Sequence, residues 1–223
     1  MYQAVLLDVY GTLVHEDDAV LGPICEQVAE SAEVPSQVVA ELWWRLFREA
    51  NQASYGGNFR LQAELSRDTL AATMRQLEVA DDADRLCRAQ FAFWRRPPIF
   101  ADSLTFLREV RQPICLVSNI DRDDLEAALA HHQLDMANVV TSQDARAYKP
   151  RPEPFELALE MLGLTASEVL HVGDSLSADV AGATSMGIDS AWINRSGRPP
   201  APAPSPTHTA TTLTDVLPML QAQ

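Results

Sequence analysis

Short apolar runs that each stop at a polar residue recur along this chain, and that repetition restricts its fold more than any other feature. Ala4–Leu7 ends at Asp8, 114–117 at Ser118-Asn119, 169–172 at Gly173-Asp174, and 190–193 at Asn194-Arg195. A brief apolar run bounded in this way suits a strand covered on both faces, as in a parallel sheet. A further run, 138–141, lies between the second and third. The intervening stretches are helical in spacing; 154–162, for example, carries Phe155, Leu157, Ala158, Leu159 and Leu162. Strand alternating with helix predicts an α/β fold, a Rossmann-like parallel sheet core with helices on both faces. In such sheets the polar residues at the carboxyl ends of strands line the ligand crevice, which would bring Asp8, Ser118 and Asp174 together.

Residues 16–93 break the alternation. They hold no strand pattern, and Leu42, Leu46 and Ala50, then Leu61, Leu65, Thr69 and Met74, recur at helical spacing. An inserted α-helical cap over 16–93 is expected, leaving a core made of 1–15 and 94–223. Gly56-Gly57-Asn58 reads as a turn inside the cap, and Arg95-Arg96-Pro97-Pro98 as the hinge back to the sheet. Trp43 and Trp44 are expected to pack the cap. Gly197–Pro206, rich in proline and alanine, reads as an exposed loop. A final helix over 214–220 would be capped by Thr212 or Thr214.

Composition narrows the function. With 223 residues, 47% of them hydrophobic, the chain can bury a full core. No apolar run approaches the ~20 residues of a membrane span and no charged-then-apolar leader opens the chain, so a cytoplasmic protein with no membrane partner is expected. Cys25, Cys87 and Cys115 are scattered without a CxxC pair, which fits buried thiols rather than a disulfide framework or zinc site. A net charge of -14 opposes a phosphodiester backbone and excludes nucleic acid as a main partner. A small anionic molecule handled by a monomer or homodimer is the expectation. Of the 17 basic residues only Lys149 is a lysine, which suggests that this position needs an ammonium group.

Four segments, LLDVYGTLV, LVSN, YKPRPEPF and HVGDSLSADVAGA, match in order and spacing the signature motifs of the haloacid dehalogenase-like superfamily, which the chain resembles over nearly its whole length. The resemblance implies that Asp8 is a covalent nucleophile and that Thr12, Ser118 and Asn119 bind the transferring group. It also implies that Lys149 holds nucleophile and substrate together, and that a Mg²⁺ site draws on Asp8, Tyr10, Asp174 and Asp179. The chemistry agrees. A carboxylate nucleophile splits a hard displacement into two easier ones and must be ionised when it attacks, so it needs cations nearby. Mg²⁺ favours one or two carboxylates with water and substrate oxygens. Ser118 can also be read as a turn residue, but its place beside Asn119 at a strand end favours binding; Asp179 is read equally as an N-terminal helix charge or a residue of the metal site.

Tyr10 departs from the phosphatase pattern. Phosphatases of the superfamily carry a second aspartate two residues after the nucleophile as general acid and base. A phenol near its ordinary pKa of ~10 can donate a proton but is a poor base at neutral pH. The 2-haloacid dehalogenases of the superfamily carry tyrosine there. ELWWR, ending at Arg45, resembles their halide-side arginine segment, and AWINRSG their last strand. Those dehalogenases work without a metal, however, and have a Ser-Ser-Asn-like segment in place of Gly173-Asp174-Ser175. By another reading Arg45 is an ordinary exposed helix residue. The acidic motif leads to the expectation of a Mg²⁺-dependent hydrolase acting on a small phosphorylated metabolite through an aspartyl-phosphate, with Asp8, Tyr10 and Lys149 catalytic. A metal-independent 2-haloacid dehalogenase using Tyr10 and Arg45, or a non-catalytic binding protein, are the alternatives.

Overall fold

Every residue of the first strand, β1 (Ala4–Leu7), is buried, and its side chains alternate between two apolar clusters. Val5 and Leu7 join Leu116, Leu170, Val172 and Ile193 on one face of the sheet. Ala4 and Leu6 join Cys115, Val117, Val140 and Phe155 on the other. This two-sided burial explains why the strands read as continuous apolar runs rather than as alternating ones. A computed structural model describes residues 1–199 and 204–221. Its sheet comprises β1, β2 (Ile114–Ser118), β3 (Asn138–Thr141), β4 (Val169–Gly173), β5 (Asp189–Ile193) and β6 (His208–Ala210). They are ordered β3-β2-β1-β4-β5-β6, all parallel. That is the doubly wound order, whose reversal point falls between β1 and β4, so the ends of β1, β2 and β4 open on one crevice.

Between β1 and β2 the chain forms α1 (Asp18–Ala32), α2 (Ser36–Ala53), α3 (Gln62–Gln76), α4 (Ala83–Arg95) and α5 (Ser103–Glu109). The first four share an apolar cluster of their own, built on Ile24, Val28, Val39, Trp43, Leu70, Met74, Leu86 and Cys87. Trp43 fills that cluster and donates through Nε1 to Thr69 Oγ1 at 3.1 Å, whereas Trp44 is 60% exposed and stacks on Phe47. Only one of the two tryptophans expected to pack the cap does so, because adjacent helical positions point about 100° apart. The chain is back in the core at α5, whose Phe106 joins the sheet's cluster, and the remaining helices are α6 (Arg122–His131), α7 (Ser142–Ala145), α8 (Glu153–Leu162), α9 (Ala181–Ser185) and α10 (Leu217–Gln221).

Two expectations change. The expected final helix begins as a 3₁₀ turn at Leu213–Val216 before α10, and the edge strand β6 has no apolar run to announce it. His208-Thr209-Ala210 pairs through its backbone with β5, and an edge strand needs little apolar bulk. The expected loop Gly197–Pro206 lies partly outside the described residues. All three cysteines are buried free thiols, as their spacing suggested. Among the described residues no helix is long and apolar enough to cross a membrane.

Candidate active site

Asp8 leaves the carboxyl end of β1 with its backbone N–H donating to Val172 of β4, so the strand pairing itself aims its side chain into the crevice. Lys149, beyond α7, meets it there. The ammonium Nζ donates to Asp8 Oδ1 at 2.8 Å, to Asp179 Oδ1 at 2.6 Å and to the Val117 carbonyl at 2.7 Å. Three donors serve three protein acceptors, so Lys149 holds Asp8 but has no N–H left for a substrate. Asn119, expected to bind the transferring group, is spent in the same way. Its Oδ1 accepts from the Lys149 backbone N–H at 2.7 Å, and its Nδ2 donates to the Lys149 carbonyl at 3.0 Å. It sets the lysine's backbone instead.

The electrostatics divide the carboxylates. Burial alone would raise Asp179, yet Lys149 and a hydrogen bond from His171 Nε2 at 2.9 Å hold it well below the usual carboxylate range. Its Oδ2 also accepts from the Ser175 N–H at 3.0 Å. Burial alone would lower Lys149, and the two aspartates reverse that and raise it. Asp8 is raised, because burial and the nearby Asp179 outweigh the same lysine. Asp179 therefore carries most of the neutralisation, and Asp8 keeps a buried Oδ2 with no hydrogen-bond partner. Burial, then Asp8, Asp179 and Glu16, push Asp174 up to about 8.

Two glycines let these carboxylates converge. Gly11 has φ +89, and a Cβ there would stand 2.5 Å from Asp174 Oδ1. A Cβ on Gly173 would stand 2.3 Å from the Asp179 carboxyl carbon. Both clashes fall on short buried side chains, so no larger residue fits at either place.

Asp8, Asp174 and Asp179 each offer an oxygen within 4.8 Å of the others. Asp179 is committed to Lys149, His171 and Ser175, which leaves the bare Asp8 Oδ2 and the charge-strained Asp174. That oxygen pair suits one small hard divalent cation that keeps much of its water. Asp179 therefore supports the site through Lys149 rather than as a free ligand.

The Tyr10 hydroxyl, expected to act as an acid or base, is engaged away from Asp8. It donates to the Trp94 carbonyl at 2.5 Å, at the end of α4, and burial with Asp124 and Asp17 nearby drives its pKa strongly upward. Trp94 Nε1 in turn donates to Asp17 at 2.8 Å, so Tyr10 ties the loop after Asp8 to both chain crossings into the helical insertion. Tyr10→Phe should leave turnover within a few-fold of wild type, below the ~10²-fold minimum loss of a general acid-base group, and lower stability by about 1 kcal/mol. Steady-state kinetics and urea unfolding read the two effects; a hundred-fold fall in kcat would restore Tyr10 to the chemistry.

Thr12 lies in the turn after Asp8, with Oγ1 buried and unpartnered, and Ser118 is buried at the end of β2. Arg45 is exposed on α2, and no described hydrogen bond or ion pair joins it to Asp8, Lys149 or Asp174. Sequence reasoning passed over His171, Arg195 and Arg198. Arg195 Nη2 donates to the Thr12 carbonyl at 2.8 Å, Nη1 pairs with Asp102 at 3.1 Å, and the guanidinium stacks 3.8 Å above Phe100. The available signal was the pair of arginines flanking Gly197 just past a strand end.

A parallel sheet presenting an aspartate and a lysine at its reversal point, with helices inserted after the first strand, defines a class of hydrolases. The chain belongs to the haloacid dehalogenase-like hydrolase family, which it matches over residues 2–187. It is 28% identical to (S)-2-haloacid dehalogenase 4A of Burkholderia cepacia over 89% of this chain and 85% of that one. It is 30% identical to the (S)-2-haloacid dehalogenase of Xanthobacter autotrophicus over 87% of this chain and 76% of that one. The solved structure of the L-2-haloacid dehalogenase of that organism superposes with a TM-score of 0.77 at 24% identity, covering 99% of each chain. These full-length likenesses, which include the helical insertion, overturn the expectation of a magnesium-dependent phosphohydrolase. The acidic motif had weighed too heavily in it: Asp179 belongs to Lys149 and His171, and Tyr10 supplies no acid-base group.

Proposed function

We propose that this chain hydrolyses a small 2-halocarboxylic acid, with Asp8 displacing the halide. The observation that carries this reading is Tyr10, whose committed hydroxyl leaves no proton donor two residues after the nucleophile. An alkoxide leaving group needs that proton. A halide leaves as a stable anion and does not.

The bare Oδ2 of Asp8 attacks C2 of the haloacid. A C–O bond forms as the carbon–halogen bond breaks, and the halide departs with the bonding pair. Lys149 keeps Oδ1 fixed, so that Oδ2 alone faces the substrate, and attack within a closed crevice gains from orientation. Water then adds to the carbonyl of the Asp8 ester, releasing a 2-hydroxy acid, one proton and the free carboxylate. Lys149 Nζ, already hydrogen-bonded to that carboxyl group, stabilises the developing oxyanion. Asp174, with a pKa raised to about 8, is basic enough to take the water's proton once ionised. Thr12 Oγ1 and Ser118 are the hydroxyls within the crevice that line the substrate.

Asp8 and Asp174 are the residues that would hold Mg²⁺, and a bound ion would supply neutralisation of that pair. The displacement itself calls for no Lewis acid. Halide release from (S)-2-chloropropionate should therefore persist, within about three-fold, in excess chelator, since losing an essential metal would cost orders of magnitude. A protein that releases no halide from any short 2-haloacid, with or without Mg²⁺, would sink the reading.

A further inference from the structure

The crevice around Asp8 is strongly acidic for a site meant to receive an anion. Asp8, Asp174 and Asp179 face inward, and Glu16 adjoins them closely enough that burial, then Asp18 and Asp8, push it up to about 7. The lysine that offsets them has no donor to spare. Among the described residues, one other cation reaches these carboxylates: Arg198 Nη2 donates to the Asp174 carbonyl at 2.6 Å and approaches Asp174 Oδ2 at 3.4 Å. Its side chain is 49% exposed at the rim.

The backbone presents this arginine firmly. Asn194, directly after β5, brackets it from both sides: Oδ1 accepts from the Arg198 N–H at 2.8 Å and Nδ2 donates to the Arg198 carbonyl at 2.9 Å. The intervening turn passes through Gly197 at φ +66, a conformation that favours glycine. The guanidinium lies 5.6 Å from the Trp192 ring centroid, within cation–π range, and Trp192 Nε1 donates to the same Asp174 carbonyl at 2.8 Å. Arg198 Nε and Nη1 make no described hydrogen bond. A clamped backbone, a supporting ring and a charged guanidinium with N–H groups to spare make a ready receptor for a carboxylate.

We infer that Arg198, held by Asn194, is the specificity-determining residue that captures the substrate's carboxylate at the mouth of the crevice. The inference rests on the haloacid reading above for the identity of the substrate, but its test does not depend on turnover. Isothermal calorimetry measures binding of propionate, an unreactive carboxylate, to the Asp8→Asn protein with and without Arg198→Ala. Steady-state halide release from (S)-2-chloropropionate compares wild type with Arg198→Ala, Arg198→Lys and Asn194→Ala.

Losing a charge-assisted contact should weaken propionate binding and raise KM by ~10- to 100-fold, with kcat within about three-fold. Lysine should restore part of the loss, Asn194→Ala should fall between, and neutral propionamide should bind both calorimetric proteins alike. Unchanged KM and propionate affinity would overturn the inference. So would a fall in kcat at constant KM, which would make Arg198 a support for Asp174 alone. If the wild type releases no halide, the haloacid reading fails while the propionate comparison still decides the role of Arg198.

Discussion

Asp8→Asn should lower halide release by ~10⁴-fold or more while the protein stays folded, the largest effect expected of any single substitution here. An amide oxygen carries no charge to displace halide, yet asparagine keeps nearly the same volume at the end of β1. The fold survives because Lys149 retains Asp179 at 2.6 Å and the Val117 carbonyl at 2.7 Å, so removing the Asp8 charge does not orphan the ammonium. Single turnover of the wild type in ¹⁸O-water reads the same step from another side. If Asp8 forms the ester and water attacks its carbonyl, the label enters Asp8 and the first product molecule carries none. Label appearing in that product would mean that water attacks C2 directly, and the covalent route would be wrong. Because Asp8 attacks only when ionised and its pKa is raised, the rate of ester formation should climb with pH and vanish in acid.

Lys149→Met should damage both stability and chemistry. Methionine fills the same space, but it leaves two buried aspartates sharing a site without their counter-charge. Breaking a buried pair by removing one partner typically costs about 3–5 kcal/mol, and here one cation serves two anions. The sign with pH follows from Asp179. In the wild type its pKa lies below that of the unfolded chain, so the ion pair's stabilisation is present above the ordinary carboxylate pKa and is lost as pH falls through the depressed one. In the mutant both aspartates should take up protons more readily, so its deficit is largest at neutral pH and shrinks toward pH 4. Ester formation should drop by ~10³-fold or more, since a protonated or mispositioned Asp8 cannot attack. Urea unfolding at neutral pH and pH 4, with single-turnover halide release, measures both. A mutant as stable as wild type at neutral pH would show that the lysine is not the counter-charge the geometry makes it.

The order of strands and helices, and the end of each strand where chemistry is placed, were legible because burial on both faces writes itself as an unbroken apolar run. Asp8, Ser118 and Asp174 stand where those runs stop, and the sole lysine of the chain is the one that meets Asp8. The helical insertion was legible from spacing alone, though not which of Trp43 and Trp44 turns inward, since that depends on how α2 is rotated against α3. β6 was not legible because an edge strand is held by backbone pairing rather than by apolar side chains.

What each polar residue does was settled only in three dimensions. Asp179, Asn119 and Tyr10 are residue types with several possible partners, and a hydrogen bond is a matter of distance and direction that spacing along a chain does not encode. Asp179 went to Lys149 and His171, Asn119 to the backbone of Lys149, and Tyr10 to the carbonyl of Trp94, 84 positions away. By itself the sequence determined a Rossmann-like sheet with a helical insertion and an aspartate at the end of the first strand, because hydrophobic period and strand ends are local properties. The tertiary structure decided which carboxylate is neutralised, which is left bare, and which arginine stands at the entrance. Those depend on charges brought within a few ångströms by segments remote in sequence, in a buried place where water no longer screens them.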